Sequence, residues 1–273
     1  MSVALEAALR RQRLLTLAAL ALLVLLAWAW LLFGAGMAMA PHAALEPFPH
    51  RAGAAMPMDM PMDGDMAAPS AWSFAGLLLA VSMWWVMMVA MMLPAAAPVI
   101  LLYAKASPRG ANGAPAPTGH FLAGYLAVWA LFAVLAAALQ LAFQQLGAMT
   151  ADTMSSTARW FSAAVLIAAG LYQLSPLKEA CLAHCRNPAQ FLSRHYRPGR
   201  AGALRMGVGH GAFCVGCCWL LMALLFVGGV MNLAWIALLT LLVAAEKLLP
   251  GGRIVAIVAG FAFLAWGAMS ALA

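Results

Sequence analysis

The sequence predicts an all-α fold, a polytopic transmembrane helix bundle of about seven spans, with its N-terminus inside and its C-terminus outside. The prediction rests on composition, on a series of long apolar stretches and on a lopsided distribution of Lys and Arg. The 273 residues are 66% hydrophobic and 8% charged. Soluble domains carry roughly a quarter charged residues. So few charges cannot cover the surface of a soluble chain of this size, so the solvent must be largely lipid.

About 20 apolar residues are needed to cross the hydrocarbon core. The stretches that qualify are Leu14–Phe33, Ala71–Tyr103, Gly119–Leu146, Ala158–Leu174, Leu204–Val227, Met231–Leu249 and Arg253–Leu272. The second holds Pro94 and Pro98, which predicts a kink in its C-terminal third. Only Gly228, Gly229 and Val230 separate the end of the fifth from the sixth, and the glycine pair predicts a tight helical hairpin.

With the N-terminus in the cytoplasm, 13 of the 15 Lys and Arg residues fall on inside segments and 2, Arg51 and Arg159, fall outside. This asymmetry sets the topology and places the chain in the cell inner (cytoplasmic) membrane. It also accounts for the net charge of +7 without a nucleic-acid partner. No phosphate-binding GxxxxGK[ST] or GxGxxG pattern occurs. No catalytic residues are expected, and the chain is not read as an enzyme.

Three regions follow: a membrane anchor over 1–33, a disordered Met/Pro/Asp-rich periplasmic loop over 34–70, and a six-helix transmembrane domain over 71–273 with a basic cytoplasmic loop at 175–203. The first region resembles a signal peptide, with "RRQR", an apolar run and "AMA" at Ala38–Ala40. Its apolar run exceeds the usual length of about 7–15 residues, which favours a retained anchor.

Soft metal ligands gather at several places. In the outside loop, "MPMDMPMDGDM" sets Met56, Met58, Met60, Met62 and Met66 among Pro, Asp and Gly. Thioethers are neutral soft ligands suited to Cu(I), so the loop reads as a capture segment, with His42 and His50 as minor contributors. The plainer alternative is a linker with incidental methionine.

The second span carries "MWWVMMVAMMLP". Met83, Met87 and Met91 fall at about 0°, 40° and 80° on a helical wheel, and Met88 and Met92 at about 140° and 180°. Methionine packs adaptably, so a plain packing stripe weighs more on spacing alone. A thioether-lined relay is the sharper reading.

In "GHGAFCVGCCWLLM", His210, Cys214, Cys217 and Cys218 fall at about 0°, 40°, −20° and 80°, on one face, with Met206 at its edge. Gly207, Gly209, Gly211 and Gly216 permit close approach of another helix. Each cysteine alone is an ordinary buried residue. An ionisable His on the same membrane-embedded face tips the balance toward a holding site.

In the basic loop, Ser175-Pro176 reads as a helix start and Asn187-Pro188 as its end. Cys181, His184 and Cys185 then share a face within about 100°, as a delivery site for Cu(I) or Zn(II). Glu246-Lys247 reads as an ion pair at a helix end, or else as a carboxylate anchoring the inside site. His120 and His210 both open spans that enter from inside, and such a pair can ligate a haem.

Together, "WWVMMVAMMLP", "GLYQLSPLKEACLAHCRNP", "GHGAFCVGCCWLLM", "GVMNLAWIA" and "EKLLP" resemble a bacterial family of predicted metal-binding integral membrane proteins of unassigned function. The resemblance covers roughly residues 72–260 and implies a fold and a metal-binding class. The methionine-rich outside loop is not part of it.

The preferred reading is a membrane protein that binds a soft cation, Cu(I) ahead of Zn(II), for transport or delivery. The partners it implies are the metal ion and a soluble metal-carrying protein. The alternatives are a haem-bearing electron carrier, a thiol oxidoreductase using the CxxC pair Cys214 and Cys217, and a structural subunit whose sulfurs only pack.

Overall fold

The computed structural model describes residues 3–33, 74–106, 117–147 and 159–272. The Met56–Met66 segment, His42, His50 and Ala38–Ala40 lie outside the described residues. Among the described residues all regular structure is helical. In chain order the helices are α1 (Val3–Leu32), α2 (Phe74–Ala106), α3 (Thr118–Gln145), α4 (Arg159–Leu174) and α5 (Pro176–Arg186). They continue with α6 (Pro188–His195), α7 (Gly199–Ala223), α8 (Leu225–Gly228), α9 (Leu233–Leu248) and α10 (Gly252–Leu272).

The segments Arg11–Leu32, Phe74–Ala106, Thr118–Gln145, Gly199–Gly228 and Gly252–Leu272 are long and apolar enough to cross a membrane. Their outward surfaces are apolar, with Leu25, Leu131, Leu135, Ile254 and Phe261 exposed. In water such a surface would drive association. Against lipid it is the expected exterior. The remaining two expected spans are shorter: α4 and α9 have 16 residues each, or about 24 Å of rise. α4 and α5 satisfy the length and hydropathy criteria only together, and they meet at a 64° bend.

Local chemistry explains the breaks. At the bend, Ser175 caps α5 by accepting from the Lys178 amide at 3.2 Å, and Pro176 occupies the first turn. The hairpin between α7 and α9 passes through the single turn α8 and Gly229, whose φ of 94° favours glycine. Asn232 then caps α9 through the Trp235 amide. α2, by contrast, continues through Pro94 and Pro98 as one helix.

Glycine brings α3 and α7 together. A Cβ on Gly207 would lie 2.0 Å from the Phe121 carbonyl oxygen, and one on Gly124 would lie 2.2 Å from that of Leu204. This is close small-residue packing of the kind membrane helices use. Gly209 faces open space and takes no part in it.

α1 lies along α2, and the Gln12 side chain donates to the Ala104 carbonyl at 3.3 Å. The start of α1 and the end of α2 therefore share one end of the bundle. A run of rings ties further elements together, with centroids of Tyr103 and Phe121 at 5.0 Å, Phe121 and His210 at 6.2 Å, and Phe191 and His210 at 5.1 Å. The segment 175–203, expected as a basic loop, is largely helical, and α5 packs against α7.

Candidate metal centre

α7 turns Cys214, Cys217 and Cys218 into the core, each 1% exposed, because the i, i+3, i+4 spacing keeps them on one buried face. The Cys217 and Cys218 thiols both donate to the Cys214 carbonyl, at 3.1 and 2.8 Å. All five cysteines are free thiols.

α5 contributes Cys185, a buried thiol that lies near both Cys214 and Cys217. The delivery and holding groups of the sequence reading therefore meet at Cys185. Cys181, one turn earlier, lies beside Gly216, where a Cβ would stand 3.0 Å from its Sγ. The Tyr172 hydroxyl, donating to the Gly216 carbonyl, adds a tie from α4 to the same turn of α7.

α2 reaches the centre through its methionine stripe. Met83, Met87, Met88, Met91 and Met92 are all buried. The Cys218 thiol donates to the Met92 thioether at 3.8 Å. With metal–sulfur bonds of about 2.3 Å, two sulfurs on one ion stand about 3.8–4.0 Å apart at tetrahedral to trigonal angles. Cys218 and Met92, in ordinary sulfur–sulfur contact, are thus close enough for one soft ion to reach both.

Two groups the sequence reading did not foresee complete the surroundings. Lys247, buried on α9, donates from Nζ to Cys214 Sγ at 2.9 Å. The Tyr125 hydroxyl lies 3.2 Å from the same sulfur. Glu246 instead meets Lys178 of α5 at 2.6 Å and accepts from Gln173 Nε2 at 2.6 Å. The expected Glu246–Lys247 ion pair is therefore not formed. Neighbours on a helix diverge by about 100°, which sends each to a different partner. The carboxylate does anchor α5, the alternative the sequence also allowed.

The histidines lie outside the sulfur cluster's own contacts. His210 is 2% exposed and packs against the rings of Phe121, Tyr125 and Phe191, and its Nδ1 has no hydrogen-bond partner among the described residues. His184 stacks on Phe213 with centroids 4.0 Å apart, while its neighbour Cys185 turns inward. His120 is exposed whereas His210 is buried, so the two do not share one environment as a haem-ligating pair requires. Met206 accepts from the Arg197 amide at 3.3 Å.

The sulfurs gather without forming a finished cage. Among the described residues, no three His, Cys, Asp or Glu side chains are arranged to hold a metal ion. Two thiols are occupied by the Cys214 carbonyl, and the third faces an ammonium. The donors nevertheless fit a soft cation, since thiolates and thioethers select Cu(I) over harder ions.

Long apolar helices around a buried set of thiols and a thioether describe a helical protein suited to a soft metal. Residues 81–270 match the model of the PpoB2 family, described as a copper chaperone, and the chain belongs to that family. No curated protein and no solved structure matches the chain.

Proposed function

We propose that this chain is an integral membrane copper chaperone that holds Cu(I) among Cys185, Cys214, Cys217, Cys218 and Met92 and passes it to a partner. The observation that carries the reading is the convergence of α2, α5 and α7 on one buried sulfur cluster in a chain of the copper chaperone family. The cation is cargo and no bond of a substrate is broken, so the chain is not an enzyme.

The Lys and Arg asymmetry supports an N-in, C-out arrangement in the cytoplasmic membrane. On that arrangement Met56, Met58, Met60 and Met62 face outside and form the capture segment. The buried stripe Met83 to Met92 leads toward Cys218, and α5 lies toward the inside. Inward delivery follows the order of thioethers before thiolates.

Lys247 gives the centre a charge logic. A buried thiolate is costly unless a cation lies beside it. The ammonium supplies that cation at Cys214 in the metal-free protein. A monovalent ion added to two thiolates and one ammonium leaves no net charge in the core. A divalent ion leaves one positive charge, so the arrangement favours Cu(I) over Zn(II).

Elemental analysis of the purified protein tests the reading. Copper is expected in excess over zinc in wild type, with most of it lost on Cys214→Ser together with Cys217→Ser. Protein free of both metals, or copper uptake untouched by these changes, would reject it.

A further inference from the structure

We infer that His184 and His195 form a bis-imidazole exchange site at the surface, through which Cu(I) is handed to or from the sulfur centre. The inference rests on the copper reading above and adds the place where the ion changes hands.

The pair comes from two short helices, α5 and α6, joined through Asn187 and Pro188. The ring centroids lie 6.2 Å apart. With metal–nitrogen bonds of about 2.0–2.1 Å, two imidazoles on one ion stand about 4.5–6.4 Å apart, the upper end for a linear arrangement. The observed separation belongs to the near-linear end, which a filled-shell monovalent ion such as Cu(I) accepts.

Both rings are held for this task. His184 Nδ1 lies 2.9 Å from the Ala180 carbonyl, and His195 Nδ1 lies 3.0 Å from that of Phe191. A carbonyl accepts only, so each neutral ring carries its proton on Nδ1 and keeps the Nε2 lone pair for a metal. Metal-binding histidines are commonly fixed by such a bond to the opposite nitrogen. His195 is exposed and His184 half-buried, so the pair spans the surface boundary.

The pair also adjoins the centre. Phe213, against which His184 stacks, precedes Cys214. Phe191 stacks with His195 at 4.9 Å and meets His210 at 5.1 Å. His210, buried and with no Nδ1 partner among the described residues, adds a third imidazole next to Phe191 on the α7 face that carries the cysteines.

The test measures the rate of Cu(I) transfer from a bicinchoninate complex to purified protein in detergent, under anaerobic reducing conditions. The His184→Ala/His195→Ala protein is expected to load about tenfold more slowly, as a barrier raised by about 1.4 kcal/mol implies. Its final copper content should equal that of wild type, because no sulfur ligand has changed. His120→Ala, an exposed histidine elsewhere, should load at the wild-type rate. Loading of the double variant at the wild-type rate, or loss of its final copper, overturns the exchange site while leaving the sulfur centre standing. Wild-type protein that takes up no copper overturns the copper reading itself.

Discussion

Lys247 donates from Nζ to Cys214 Sγ at 2.9 Å, between two buried side chains. The two residues come from α9 and α7, so the contact fixes the hairpin they form as well as the charge of the sulfur centre. Replacing Lys247 by Met keeps the length of the side chain and removes the ammonium. Cu(I) affinity should fall by about 10- to 100-fold, the usual effect of losing a group that orients a metal ligand. Competition against a Cu(I) chelator measures it. Zn(II) affinity should fall less or rise, since the ammonium opposes a divalent ion.

Met92→Leu separates thioether chemistry from packing. The change nearly conserves volume and should cost less than about 1.5 kcal/mol of stability. Thermal unfolding should therefore shift little, while Cu(I) affinity falls because Cys218 loses its sulfur neighbour. An unchanged affinity would assign the methionine stripe to packing alone.

Glu246 and Lys178 form a buried pair whose side chains are each 2% exposed. Glu246→Gln leaves the Lys178 ammonium without its counter-charge and should destabilise the protein by about 3–5 kcal/mol. Lys178→Met combined with Glu246→Leu should recover much of that loss. Unfolding of the single and double variants in one detergent measures the difference.

Gly207 and Gly209 offer a matched comparison on α7. A methyl on Gly207 would collide with the Phe121 carbonyl, while one on Gly209 meets nothing within 4 Å. Gly207→Ala should destabilise by about 1–3 kcal/mol through forced separation of α3 and α7. Gly209→Ala should be neutral or stabilising by up to about 1 kcal/mol, from helix propensity.

Patterns local in sequence were legible. The cap at Ser175, the end of α5 at Asn187, the turn at Gly228 and Gly229, and the inward face of the three α7 cysteines all follow from short-range spacing. Contacts set by tertiary placement were not. Cys185 and His184 are adjacent on α5, and only the position of α7 decides that one turns to the sulfurs and the other to Phe213. Lys247 and Glu246 read as partners because they are neighbours, yet their partners lie 33 and 68 residues away. His195 sits in an arginine-rich stretch that reads as a solvated surface, so nothing in its surroundings marked it. Hydropathy marks α4 and α9 as apolar without setting their length, and at 16 residues each they fall short of the about 20 that a full span needs.

If Cys185, Cys214, Cys217, Cys218 and Met92 hold Cu(I), the bound ion is surrounded by sulfur. X-ray absorption at the copper edge of Cu(I)-loaded wild-type protein, set beside Cys214→Ser/Cys218→Ser protein, reads those neighbours out. Sulfur scatterers are expected around copper in wild type, with loss of both the bound copper and that sulfur signal in the variant. Copper bound by nitrogen or oxygen alone, or an identical spectrum from both proteins, would contradict it.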